Sequence, residues 1–107
     1  MGPIEGVELT KEKQECMDKS IDMFLHKVRE EIIRAQTKFG DFRSPHEGMS
    51  VTREELDEMW DEVKADNIPA AADEAIQVAA MASLFAINFA GSKDREFAKD
   101  NKWQPKA

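Results

Sequence analysis

An acidic stretch near the middle of the chain contains the residue types best suited to metal chemistry. Seven acidic side chains fall within residues 52–66. On a helix, Glu55 and Glu58 project from one face because they are three residues apart, and Glu62 follows one turn later. Clustered carboxylates repel one another, and Mg²⁺ relieves that repulsion while keeping positions open for substrate phosphates. A solvated helix face has the same pattern, so the acidic stretch alone leaves both interpretations open.

A second polar pair opens the most apolar segment of the chain. Glu74 and Gln77 are three residues apart, and between residues 75 and 90 only Gln77, Ser83 and Asn88 are polar. A polar pair that enters a buried helix needs partners, because unpaired polar groups in an apolar environment are costly. If the two helices pack antiparallel across a short turn, this pair faces the acidic helix. The register of the helices decides whether the two sets meet, and the sequence leaves that register open.

The two motifs, in this order, resemble those of the MazG-like family of all-α nucleoside triphosphate pyrophosphohydrolases. Residues 54–58, Glu-Glu-Leu-Asp-Glu, match the family's EExxE motif, and fifteen residues separate them from Glu74, within the family's spacing to its second motif, ExxD. The similarity extends over much of residues 20–90 and looks like that of small phage and bacterial MazG-like proteins. The matching stretches are Lys38-Phe39-Gly40, Ser44-Pro45-His46-Glu47-Gly48, residues 54–63 and residues 74–82.

The resemblance implies a magnesium site and a reaction. Glu55, Glu58 and Glu74 take the positions of the family's metal ligands, and Gln77 stands where the family has Asp. A carboxamide oxygen can coordinate a hard cation but adds no negative charge, so we expect Gln77 to hold Mg²⁺ less tightly than Asp would. The implied reaction is attack of water on the α-phosphorus of a nucleoside triphosphate, which gives a monophosphate and pyrophosphate.

Other side chains are candidates for handling the water and the phosphates. A carboxylate that is not committed to metal can orient the attacking water, and Glu54 and Glu62 are the two candidates for this catalytic role. Two basic pairs are candidates for contacting the phosphates, with a solvated basic face as the alternative for each. These pairs are Arg34 with Lys38 and Lys93 with Arg95.

A non-catalytic protein is the competing hypothesis. Gln77 at the position of the motif Asp is consistent with a helical oligomerisation or regulatory module that keeps the fold but has lost turnover. The presence of Glu55, Glu58 and Glu74 favours the enzyme, because a core helix and its neighbour have little structural reason to carry three carboxylates at these positions.

The spacing of apolar residues predicts an all-α bundle that positions these groups. Apolar residues recur every three or four positions along the first helix, and Gly40 supplies its stop. Ser44 followed by Pro45 indicates the start of the second helix, and Pro69 marks the start of the third. We expect the apolar stripe of the first helix, and Trp60 of the second, to lie in the core. These signals predict long helices over residues 11–39, 45–65 and 69–89 and a short C-terminal helix over residues 93–99.

Length and composition favour one domain that assembles with copies of itself. The 107 residues divide into an N-terminal extension (1–10), a helical domain (11–100) and a flexible tail (101–107). A short chain has little interior of its own, and its third helix is apolar nearly all round. We therefore expect the bundle to be completed in a homodimer or homotetramer.

Charge and hydropathy argue against two classes of partner. A net charge of −7 disfavours nucleic acid, whose phosphates are neutralised by clustered Lys and Arg. The apolar run over residues 75–90 is 16 residues long, and a spanning helix needs about 20. We therefore expect a buried core helix and no membrane insertion. The first ten residues lack a basic region followed by an apolar run, so we expect a cytoplasmic location.

Overall fold

Three long helices account for nearly all of the described chain. The computed structural model describes residues 10–90, and within that range it contains no strand. Helix α1 spans Lys11–Phe39, α2 spans Pro45–Lys64 and α3 spans Ile68–Phe89. The predicted all-α class and the three long helices are thereby confirmed, with ends that agree to within one residue. The predicted short C-terminal helix and the flexible tail lie outside the described residues.

The start of α2 is fixed by local hydrogen bonds. Oγ of Ser44 accepts a hydrogen bond from the backbone N of Glu47 at 3.1 Å, and Pro45 occupies the first turn, where no intrahelical donor is needed. Thr52 lies inside the helix and donates its hydroxyl to the carbonyl of Gly48 at 2.7 Å. The predicted Ser44 cap is therefore confirmed.

A three-residue turn reverses the chain between α2 and α3. Asp66 has a φ of 57°, the left-handed conformation that short polar residues tolerate. Asn67 then caps α3, because its side chain accepts a hydrogen bond from the backbone N of Ala70 at 3.5 Å. A turn this short makes α2 and α3 antiparallel neighbours, which is the arrangement that brings the two polar motifs within reach of each other.

Helix α3 is the centre of the fold, since both α1 and α2 pack against it. The buried hydrophobic residues are Ala35 of α1 and Ala71, Ala80, Met81 and Leu84 of α3. The half-buried residues packed around them are Val28, Ile32, Phe42 and Val51. Small side chains at the contacts let the helices approach closely, so the interior is narrow and is supplied mainly by α3.

Many large apolar side chains remain at the surface of the single subunit. Within the single subunit, the expectation that the whole apolar stripe of α1 and Trp60 lie in the core is wrong. Trp60 is 57% exposed. Helix α1 has 29 residues and α3 has 22, so α3 cannot cover the full length of the stripe. The large apolar residues left exposed on the first half of α1 are Met17, Ile21, Met23, Phe24 and Leu25, each at 43–61%.

Helix α3 also has the length and composition of a membrane-spanning helix. Its most apolar window reaches a mean hydropathy of 1.4, and 22% of that window is buried. Core helices of soluble proteins have the same properties, and this helix supplies most of the buried residues described above. The hydropathy is therefore weak evidence for a membrane.

Gly48 of α2 packs tightly against Phe85 of α3, and substitution at Gly48 tests this packing. A Cβ at this position would lie 2.6 Å from Cδ2 of Phe85 and 3.0 Å from Cδ2 of Phe42. Alanine normally stabilises a helix interior relative to glycine, by about 1 kcal/mol. We expect Gly48→Ala instead to lower the free energy of unfolding by about 1–2 kcal/mol, because of overpacking. Urea titration followed by circular dichroism measures this difference.

The matched control is Ser50→Ala, an exposed position on the same helix. We expect this variant to be unchanged or slightly more stable than the parent. Stabilisation by Gly48→Ala equal to that of the control would contradict the close packing of the two helices.

Candidate metal centre

Three glutamates from two helices converge on one point. Glu55 and Glu58 lie one turn apart on α2, and Glu74 lies in the second turn of α3. One carboxylate oxygen from each residue lies within 4.8 Å of the other two. The antiparallel register of α2 and α3 therefore brings together the two motifs that the sequence left apart. We call Glu55, Glu58 and Glu74 the carboxylate cluster.

The cluster is electrostatically strained in the absence of a cation. Burial is the main cause that raises the pKa of Glu55 to about 7, and hydrogen bonding to Glu74 and the charge of Glu58 add to the effect. Burial also raises the pKa of Glu74, and the charges of Glu58 and Glu62 act in the same direction. Both shifts favour the protonated carboxyls, and a bound cation would displace protons from them.

One oxygen of the cluster lacks a hydrogen-bond partner. Oε2 of Glu74 is buried, and no donor from residues 10–90 reaches it. A buried carboxylate oxygen without a partner is unfavourable, and such an oxygen is a suitable ligand for a hard cation. The unpaired oxygen and the two neighbouring carboxylates are a donor set that fits Mg²⁺.

Gln77, the predicted fourth ligand, lies one turn after Glu74 and faces α1. It lines a depression together with Glu31 of that helix. Arg34 is the main cause that lowers the pKa of Glu31, and hydrogen bonding from the amide of Gln77 adds to the lowering. A second carboxylate, from α1, therefore lies beside the position where the family motif has Asp.

Arg34, a predicted phosphate contact, is paired with Glu31 and lies within electrostatic reach of Glu55. Its Nε and Nη2 donate to Oε2 of Glu31 at 3.0 and 2.7 Å. Hydrogen bonding to Glu31 is the main cause that raises the pKa of Arg34, and the charge of Glu55 also contributes. This guanidinium is therefore the cation that α1 brings to the edge of the carboxylate cluster.

Glu31 lies beside the site and was not among the residues predicted from the sequence. Its spacing from Arg34 is typical of an ion pair on one helix face, which is a signal that the sequence did contain. That spacing says nothing about which face of α1 meets α3. Only the packing of α1 on α3 brings Glu31 to Gln77 and so to the site.

The two candidates for orienting water occupy different environments. Glu62 is half-buried, and its charge contributes to the raised pKa of Glu74, so it lies within electrostatic reach of the cluster. Glu54 is exposed and lines a separate cavity between the end of α1, α2 and α3. The structure thus distinguishes two carboxylates that the sequence could not rank.

For the remaining predicted phosphate contacts, the structure provides no interaction with the carboxylate cluster within residues 10–90. Lys38 lines a shallow surface depression with Arg34, and its Nζ lies 5.1 Å from the centroid of the Phe39 ring. Lys93 and Arg95 lie outside the described residues.

The raised pKa of Glu55 predicts how stability depends on pH. In protein stripped of divalent cations, the protonated form is favoured in the folded state, so its stabilising effect is present at low pH. This effect is lost as the pH rises from the ordinary value of 4.5 through about 7. We expect the melting temperature to fall across this range and Mg²⁺ to restore it most at the alkaline end. Thermal unfolding followed by circular dichroism checks both effects.

The control for this pH dependence is Glu55→Gln, which cannot ionise. We expect a flatter dependence of the melting temperature on pH and a smaller gain from Mg²⁺. A melting temperature that rises over this range in the metal-free parent would contradict the burial of charge in the cluster.

Comparison with known proteins neither supports nor opposes a family assignment. No protein-family model, curated protein or solved structure matches this chain. The resemblance to the MazG-like family therefore stays a prediction from the two motifs. What can be concluded about the site depends on the convergence of Glu55, Glu58 and Glu74 and on the unpaired oxygen of Glu74.

Proposed function

We propose that this protein is a Mg²⁺-dependent nucleoside triphosphate pyrophosphohydrolase of the MazG-like type. The observation that carries the proposal is the carboxylate cluster, in which oxygens of Glu55, Glu58 and Glu74 lie within 4.8 Å of one another. A cluster of this kind binds a hard divalent cation, and such cations in turn bind polyphosphates. The two sequence motifs that supply the cluster are those of a family that cleaves nucleoside triphosphates.

In this proposal Glu55, Glu58 and Glu74 hold Mg²⁺, with the amide oxygen of Gln77 as a fourth ligand. When bound, Mg²⁺ would neutralise charge on the triphosphate and stabilise the charge that develops on the departing pyrophosphate. The buried Oε2 of Glu74 would gain the partner that it lacks within the described chain.

Glu62 is the carboxylate proposed to orient the attacking water. It is half-buried and close enough to Glu74 to influence its pKa, whereas Glu54 faces a different cavity. The water oxygen forms a bond to the α-phosphorus while the bond from that phosphorus to the bridging oxygen breaks. The proton of the water passes to the carboxylate of Glu62, and the products are a monophosphate and pyrophosphate.

Basic side chains at the edge of the cluster are proposed to bind the phosphates. Arg34 is the best supported, because Glu31 orients its guanidinium and Glu55 acts on it electrostatically. A guanidinium suits this role because its donors can engage two phosphate oxygens at once. Lys38, Lys93 and Arg95 are proposed as further contacts on the basis of their charge.

We also propose that the active protein is a cytoplasmic homodimer or homotetramer. The exposed apolar side chains of α1 and the exposed Trp60 are more hydrophobic surface than a small monomer usually leaves in water. Burial of these residues between subunits would supply the interior that α3 alone does not. In such an assembly α3 is a core helix and not a membrane span, and the net charge of −7 disfavours nucleic acid as a partner.

A non-catalytic oligomerisation or regulatory module is the second candidate. It is favoured by one observation, which is that Gln77 lacks the charge of the motif Asp and lies against Glu31 on α1. An amide engaged in this way stabilises the contact between α1 and α3 whether or not a metal is present. Release of pyrophosphate from nucleoside triphosphates distinguishes the two functions.

The decisive variant for the enzyme is Glu58→Gln. Purified protein is incubated with each nucleoside triphosphate and Mg²⁺, and pyrophosphate is measured. We expect the substitution to lower kcat/KM by about 100-fold or more, because it removes a charged ligand of the cation without removing volume. Circular dichroism should show unchanged helicity, since Glu58 is exposed and makes no contribution to the core.

The matched control is Asp57→Asn, which removes one negative charge from the neighbouring exposed position on α2. We expect nearly full activity from this variant. Loss of activity in both variants would indicate a general effect of charge, and full activity in Glu58→Gln would exclude the proposed site.

Gln77→Asp tests the fourth ligand directly. A carboxylate at this position adds negative charge next to Glu74, and we expect Mg²⁺ to bind about tenfold more tightly, which corresponds to roughly 1.4 kcal/mol. Isothermal titration calorimetry with Mg²⁺ alone measures the change. Gln14→Asp, which adds the same charge at an exposed position near the start of α1, serves as the control. Equal affinities in the parent and Gln77→Asp would remove Gln77 from the proposed ligand set.

A further inference from the structure

A second feature of the fold has the size of a ligand site. A cavity of about 720 Å³ lies between the end of α1, the loop that follows it, α2 and α3. This volume lies within the usual range of small-molecule sites, about 300–1,000 Å³. The apolar residues that line it are Ala35, Phe39, Phe42, Val51, Met81 and Leu84. Two aromatic rings beside an aliphatic surface favour a flat, partly apolar ligand.

The cavity and the carboxylate cluster are separate but lie along the same two helices. Glu54 lines the cavity, and the next residue, Glu55, belongs to the cluster. On α3, Met81 of the cavity follows Glu74 of the cluster by seven residues, a rise of about 10 Å. A phosphate chain held at the cluster can therefore extend towards the cavity, and the rest of the same molecule can enter it.

The polar side chains that line the cavity differ in whether they already have hydrogen-bond or salt-bridge partners. Arg43 and Glu47 form a salt bridge at 3.2 Å between Nε and Oε2. Oδ1 of Asp41 accepts hydrogen bonds from the amides of Gln36 and Asn88 at 2.6 and 3.2 Å. Glu54 is exposed and, unlike Asp41 and Glu47, has no hydrogen bond or salt bridge to another side chain within residues 10–90, so a ligand can reach it. A carboxylate in this position accepts hydrogen bonds and repels other acceptors.

We propose that this cavity binds the nucleobase of the substrate and that Glu54 selects a base with an exocyclic amino group. The inference rests on the proposed function and adds the substrate class. Phe39 and Phe42 supply aromatic faces for the base, and the Glu54 carboxylate accepts a hydrogen bond from the amino group of cytosine, adenine or guanine. Uracil and thymine offer a carbonyl oxygen at the equivalent edge, which leaves two acceptors facing each other.

Binding of nucleoside monophosphates tests the cavity independently of turnover. The full chain is labelled with ¹⁵N and titrated with cytidine monophosphate and, separately, with uridine monophosphate. We expect cytidine monophosphate to shift the backbone amides of Phe42 and Val51 and to bind at least about tenfold more tightly than uridine monophosphate.

Two substitutions separate stacking from selection. Phe39 is 74% exposed, so Phe39→Ala should leave the fold intact. We expect it to weaken both monophosphates by at least about fivefold, the lower limit for loss of one stacking contact. Glu54→Gln offers both a donor and an acceptor, and we expect it to reduce the preference for cytidine over uridine to within about threefold.

A control removes an exposed apolar side chain outside the cavity. Ile87 of α3 is 55% exposed and does not line the cavity. We expect Ile87→Ala to leave both affinities unchanged. Equal losses in Ile87→Ala and Phe39→Ala would overturn the assignment of Phe39 to the base.

The outcomes distinguish failure of this inference from failure of the proposed reaction. Cytidine monophosphate that shifts the cavity amides, in a protein that releases no pyrophosphate, supports the base site and rejects the reaction. Pyrophosphate release with an unchanged substrate preference in Glu54→Gln supports the reaction and rejects the base site. If neither monophosphate shifts the backbone amides at the cavity, the inference is overturned. A second copy or another segment of the chain in the cavity would give this result.

Discussion

The antiparallel packing of α2 on α3 is the constraint on which the rest of the structure depends. The turn at Asp66 and Asn67 reverses the chain within three residues, and Gly48 allows the two helices to approach where any Cβ would meet the ring of Phe85. These two features set the register of the pair. Glu74 thereby comes to lie beside Glu55 and Glu58, because one shift by a helical turn would separate their carboxylates by several ångströms.

The same packing forces like charges together and so creates a site that favours a cation. Burial against α3 raises the pKa of Glu55 and of Glu74, which means that the folded protein opposes ionisation at the cluster. The metal-free chain can relieve this conflict only by keeping protons. A divalent cation would relieve it without protonation and would also pair with the buried Oε2 of Glu74. The apolar contacts between the helices thus hold together carboxylates that would otherwise repel one another and move apart.

Helix α1 contributes to the site through charge more than through core packing. Val28, Ile32 and Ala35 of α1 pack in the core, and Glu31 and Arg34 alternate with them along the helix. Arg34 pairs with Glu31 and acts electrostatically on Glu55 of the cluster. Glu31 lies beside Gln77, so the charge that Gln77 lacks is present nearby on another helix. The first half of α1 also leaves apolar side chains exposed in the single subunit.

Local sequence signals by themselves determined the helices of this protein. Ser44 with Pro45, Gly40 and Pro69 act through bonds and torsions within a few residues, so the ends of the three helices followed from the sequence to within one residue. Spacing along each helix paired Glu55 with Glu58 and Glu74 with Gln77, and the resemblance to the MazG-like motifs implied that the three glutamates act together. Which faces meet was decided only by tertiary structure, because side-chain spacing constrains one helix at a time. For that reason the convergence of Glu55 and Glu58 on Glu74, the neighbouring Glu31 and the exposure of Trp60 emerged only from the packing of the three helices.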